Sequence, residues 1–173
     1  MRSPFLLALG FVALPALAAP TPASATDADR DTTVRVSNAP DSLRVRTLLA
    51  KADEASFAGR VNEARRTYRM LIDEQREADQ FAGDALWRLA TTNLYADDNR
   101  GAASVLDELA AAASRYGDPR AELRATFEAA VIYSHLKRHD LVAARMERVR
   151  ALMQSPFISA QEKESVKGRI REG

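Results

Sequence analysis

After Pro40 the apolar positions fall into steps of three and four. Val45, Leu48, Leu49 and Ala52 share one side of a stretch beginning near Asp41. Val61, Ala64, Tyr68, Leu71 and Gln75 share one side of the next, while Arg65, Arg66, Arg69, Asp73 and Arg76 occupy the other. That spacing is the stripe of a helix with one buried face. It recurs over Trp87, Leu89, Ala90 and Leu94, over Ala103, Leu106, Leu109, Ala110 and Ala113, over Leu123, Phe127, Ala130 and Val131, and over Val142, Met146, Val149 and Met153. A weaker stripe with Val166 and Ile170 closes the chain. No long run favours β-branched residues, and Ala, Leu, Arg and Glu, all strong helix formers, dominate. The pattern predicts seven helices and an all-α fold.

The breaks between stripes carry end signals. Asp41 or Ser42 can cap the first helix, and Gly59 ends it. The third helix is expected from about Asp84. "ADDNRG" at 96–101 reads as a turn with built-in caps. In "YGDP" at 116–119, Gly117 suits a C-terminal cap, Asp118 an N-cap and Pro119 the first helical position. The sixth helix is expected after Asp140. "SAQE" at 159–162 is a capping box, in which serine and glutamate each bond the other's backbone N–H.

The stripes pair into hairpins. Aligned by the small residue early in each second helix, "GRVNEARRTYRMLI", "DNRGAASVLDEL" and "HDLVAARMERVRALMQSP" place Ala64, Ala103 and Ala144 in register. Ala151 and Pro156 follow in the third copy, and Trp87 precedes Ala103 in the second. With these residues the chain resembles a degenerate tetratricopeptide-repeat-like protein over residues 42–156. The resemblance implies an α-α superhelix of about three antiparallel helical hairpins with a seventh, C-terminal capping helix. One hairpin cannot bury its apolar face alone, so hairpins must stack. The repeat is longer than the family's ~34 residues and approaches the ~40–47 of HEAT and armadillo arrays; another α-solenoid or an antiparallel bundle is the second reading.

The beginning of the chain is of another kind. Arg2 precedes the apolar run "FLLALGFVAL" at 5–14, then Pro15 and small residues that place a cleavage site after Ala18 or Ala25. This is the layout of a secretory signal peptide, with an apolar run well short of the ~20 residues of a membrane span. The chain is thus expected to divide into a signal and cleavage region at 1–25, a disordered leader at 26–40 and a helical repeat domain at 41–173. The product would be exported, periplasmic or secreted, without a stable membrane anchor after cleavage. No cysteine is present, so packing alone must hold the fold. Cleavage removes one basic residue and leaves acids and bases balanced, without the basic footprint that nucleic acid requires.

Candidate chemistry is sparse. His135 and His139 stand four apart, which on one helix would put both imidazoles on one face, but "LKR" between them lacks the glutamate of HExxH. The acidic doublets Asp53-Glu54, Asp73-Glu74, Asp97-Asp98 and Asp107-Glu108 read as solvated faces or turns. There is no phosphate-cradling glycine loop and no nucleophile elbow. Arginine outnumbers lysine 21 to 4, which codon composition explains without appeal to function. Arg69 and Asp73 are placed to pair along their helix. Tyr68, Trp87 and Phe127 fall on apolar faces and are expected in the core. The sequence therefore predicts no catalytic residues, no metal ligands and no cofactor. The family resemblance puts the first helix of each hairpin on the concave surface, which would display Arg46 and Asp53, then Arg88, Thr92 and Tyr95, then Ala129 and Tyr133. The expected function is an exported, non-catalytic scaffold binding a protein or peptide on that wall. The alternatives are a small metal-dependent hydrolytic enzyme using His135 and His139, or a self-associating structural subunit.

Overall fold

The computed structural model describes residues 41–172; the signal and leader expectations fall outside the described residues. Seven α-helices follow one another: α1 (Ser42–Phe57), α2 (Val61–Glu77), α3 (Gly83–Tyr95), α4 (Asn99–Tyr116), α5 (Pro119–His135), α6 (His139–Leu152) and α7 (Ala160–Glu172). There is no strand among the described residues. Consecutive helices pack on each other from α1 through α6, giving a row of antiparallel hairpins with α7 after the last.

The hairpin turns are built alike. Gly59, Asp97 and Lys137 adopt left-handed backbone at φ 74°, 56° and 56°. After each, a backbone N–H reaches back five residues: Arg60 to Ala55 at 2.8 Å, Asp98 to Asn93 at 2.9 Å, Arg138 to Tyr133 at 2.9 Å. This is the long bond of a Schellman stop, which satisfies a carbonyl the helix end would otherwise orphan. The same device joins successive hairpins at Asp79 (φ 52°) and Gly117 (φ 71°). No atom lies within 4 Å of where a Cβ would sit on Gly59, so its requirement is the dihedral angle rather than space. Three of the five left-handed positions carry side chains, which is why only two were visible as glycines.

Several caps match the sequence expectation. The Asp41 carboxylate accepts from Leu43 N–H at 3.2 Å. Asp118 accepts from Arg120 and Ala121 N–H at 3.1 and 3.0 Å, ahead of Pro119. Ser159 Oγ accepts from Glu162 N–H at 3.2 Å while Glu162 accepts from Ser159 N–H at 3.0 Å. The sixth helix differs: it begins at His139, and Asp140 lies inside its first turn, paired with Arg138.

The main core runs from α1 into α5. Tyr68, Leu71, Ile72, Leu86 and Leu106 are buried within it, beside a seam of alanines: Ala52, Ala55, Ala64, Ala102, Ala103 and Ala125 expose no surface. Alanine lets helix axes approach, and the larger residues fill the space between layers. A second, smaller cluster joins Leu123 and Phe127 of α5 to Val149 and Leu152 of α6 and to Ile158, with Val166 of α7 against it. The third hairpin departs from the alanine register: Ala144 and Ala151 are exposed, and Val149 and Leu152 are buried instead. Leu94, expected on the packed face of α3, is 38% exposed, and buried Asn93 takes the inward place. Trp87 is half-buried rather than a core residue.

Candidate functional site

Arginine holds together helices that scarcely touch. Backbone packing runs mainly between sequence neighbours, yet each helix from α1 to α5 is also linked to the one two places on. Arg88 of α3 pairs with Asp53 of α1. Arg69 and Arg76 of α2 share Glu108 of α4, each at 2.6 Å. The Arg124 guanidinium of α5 stacks over Trp87 of α3 at 3.7 Å. Arg145 of α6 holds Asp107 of α4 through two nitrogens, at 3.1 and 2.7 Å. Arg120 and Arg169 tie α5 and α7 through Glu162 and Glu128. A guanidinium on a long stem reaches across the step and presents a flat fork of donors to a carboxylate. The acidic doublets are therefore not merely solvated: Asp53, Glu74, Asp107 and Glu108 each accept an arginine from another helix. Arg69 does not pair with Asp73 as expected; Asp73 lies instead 3.6 Å from Arg76.

Two of these links include a tyrosine. Asp53 accepts from the Tyr68 hydroxyl of α2 as well as from Arg88. Asp107 accepts from the Tyr133 hydroxyl of α5 at 2.7 Å as well as from Arg145. Each triad takes an aspartate, a tyrosine and an arginine from three consecutive helices. Burial first, and then the bond to the carboxylate, raises both phenols above their ordinary value. They are neutral donors that fix an acid in place.

The expected groove residues do not form one wall. Asp53, Arg88, Thr92 and Tyr95 come together in a cleft of about 300 Å³ between α1 and α3, with Ser56, Phe57, Tyr68, Asp84 and Trp87. Thr92 is 3% exposed. Its hydroxyl donates to the Arg88 carbonyl at 2.9 Å and accepts from Ser56 at 3.0 Å, so it forms floor rather than display. Tyr95 is 79% exposed and Phe57 87%; they are the last residues of α3 and α1 and flank the cleft. Tyr133 belongs instead to the Asp107 triad, Ala129 is buried in the core, and Arg46 is exposed on α1 outside the cleft. Phe57 was missed because it lies off the apolar stripe of α1. Its position, two before the left-handed residue, is the signal that could have found it: Tyr95 holds the same place, and so does exposed His135.

A second cleft, of about 370 Å³, shares Asp84 and Trp87 with the first and continues along α1, α3 and α5 through Val45, Leu49, Ala121 and Arg124. A third, of about 490 Å³, lies between α5 and α7. The odd-numbered helices thus line three clefts in succession. The two histidines fall on different helices, His135 ending α5 and His139 opening α6. Among the described residues no three histidine, aspartate or glutamate side chains gather as metal ligands, and no helix is long and apolar enough to cross a membrane. No family model, curated protein or solved structure matches the chain.

Proposed function

We propose that the protein is an exported, non-catalytic, tetratricopeptide-like scaffold that binds a protein or peptide partner along its odd-numbered helices. The observation that carries this reading is the succession of clefts on that face, with Tyr95 and Phe57 standing almost fully in solvent beside one of them. Exposed aromatic rings at the edge of a polar-floored cleft suit a binding surface, since tyrosine, tryptophan and arginine concentrate interface energy. The signal-peptide layout of residues 1–25 supports an encounter in the cell envelope, and the even turn geometry of the hairpins supports the repeat reading.

The test is site-specific photocrosslinking in the native envelope. A photoreactive residue at Tyr95 is expected to capture a discrete partner, and one at Arg66 on α2 is not. Equal capture at both positions, or none at Tyr95, counts against the reading.

A further inference from the structure

Resting on that scaffold reading, we infer that the cleft flanked by Phe57, Trp87 and Tyr95 receives a cationic side chain, arginine or lysine, from an extended partner peptide, with its charge set against Asp84. Three features of the cleft argue for a cation. The first is its charge. The lining carries the carboxylates of Asp53 and Asp84 against one guanidinium, that of Arg88. Arg88 pairs directly with Asp53 and feels Asp84 only at longer range, and no cation among the described residues comes within 4.0 Å of the Asp84 carboxylate. An acidic partner would meet the net negative charge of this lining, and a basic one a carboxylate with no close ion-pair partner.

The second feature is the aromatic wall. The electron-rich face of an indole or phenol attracts ammonium and guanidinium groups, tryptophan best of all. The molecule contains its own example: Arg124 lies 3.7 Å over Trp87 in the adjoining cleft, which Asp84 also lines. Arg124 does not line the cleft of Phe57 and Tyr95, so there the same tryptophan and the same carboxylate serve a cation from outside the chain.

The third is the floor. Ser56 and Thr92 are bonded to each other, and the Tyr68 hydroxyl is spent on Asp53. These floor hydroxyls are therefore taken up within the protein and do not read the hydroxyls of a sugar, which leaves the Asp84 carboxylate as the main charged group the cleft offers. At about 300 Å³ the space sits at the small end of ligand sites and suits one side chain rather than a folded domain.

Trp87 is the only tryptophan of the chain, so its indole N–H gives one unambiguous NMR resonance. The mature chain is titrated with acetyl-Ala-Ala-Arg-Ala-Ala-amide, its glutamate and glutamine counterparts, and chitotetraose. The arginine peptide is expected to move the indole resonance saturably. Asp84→Asn is expected to weaken that response about two- to fivefold, the scale of one partly exposed charge contact, with helicity unchanged, and Asp84→Glu to restore it in part. Added salt should weaken it as well. Equal response to the glutamine or glutamate peptide, response to the oligosaccharide alone, or indifference to Asp84→Asn overturns the cation assignment; the scaffold reading then stands or falls on crosslinking at Tyr95. Silence toward every probe, with no capture at Tyr95, overturns both.

Discussion

Lys137 shows how much a single dihedral angle can hide. A lysine at φ 56° bears the steric cost of left-handed backbone, on the order of 1–2 kcal/mol for a residue with a Cβ, where the first hairpin uses Gly59. Lys137→Gly is expected to raise stability by about 1 kcal/mol in urea unfolding, less any gain in unfolded-state entropy, and Gly59→Ala to lower it by a similar amount. The Asp53 triad makes a different forecast. Tyr68→Phe removes one neutral donor and should cost about 0.5–1.5 kcal/mol, whereas Asp53→Ala strands a buried hydroxyl and a guanidinium together and should cost more, about 1–3 kcal/mol. A larger loss for the tyrosine substitution would contradict the triad as the unit. Residues whose role is local were legible from the chain: Asp118 before Pro119, and Ser159 three before Glu162, act through backbone within reach. Residues whose role depends on a distant helix were not. Buried Asn93 is satisfied by Arg65, which donates to it at 2.6 Å, and Trp87, packed against the main core, carries on its face an arginine from two helices away. No periodicity announces either.

At the scale of an element, α7 is the informative case. None of its described residues is buried; Val166 against the second apolar cluster, the capping box and two arginine links hold it. Its weak stripe was visible in the sequence, but its two cross-ties to α5 were not. Glu162 serves the cap and the tie together. The Ser159 hydroxyl and then Arg120 hold its carboxyl at about 2, well below the ordinary 4.5. The folded value is the depressed one, so the contribution is complete above about 4.5 and is lost as pH falls from there toward about 2. Amide exchange in α7 is therefore expected to accelerate through that window before α2–α4 respond. Glu162→Gln should loosen α7 at neutral pH and flatten much of the dependence. Exchange in α7 that follows the rest of the domain at every pH would contradict this. Pairs this exposed contribute little singly, which fits an end element that opens independently.

Across the whole molecule, two apolar clusters divide the labour, one through α1–α5 and one through α5–α7. Leu106→Ala, in the first, should cost about 2–5 kcal/mol and be felt globally, as a deletion of core side-chain volume. Val149→Ala, in the second, should raise exchange in α5–α7 and leave α2–α3 nearly unchanged. Fold class and the seven helices could be read from periodicity because each stripe is a local property. The third hairpin's register could not, because Ala144 and Val149 differ only in which neighbour each faces. The abundance of arginine, attributable to codon usage on composition alone, acquires a mechanical meaning once the ties between α1 and α3, α2 and α4, and onward are seen. Arg145→Lys keeps the charge but gives up the two-pronged grip on Asp107, so it should destabilise by about 1 kcal/mol. Those ties also decide how the chain would yield to force. Once α7 has opened, a helix of α1–α6 peeled from one end stays laced to the helix beyond its neighbour, so two must let go together. Stretched between optical traps, the domain should lengthen in jumps of one hairpin, about 120 Å of freed contour, rather than in half-steps.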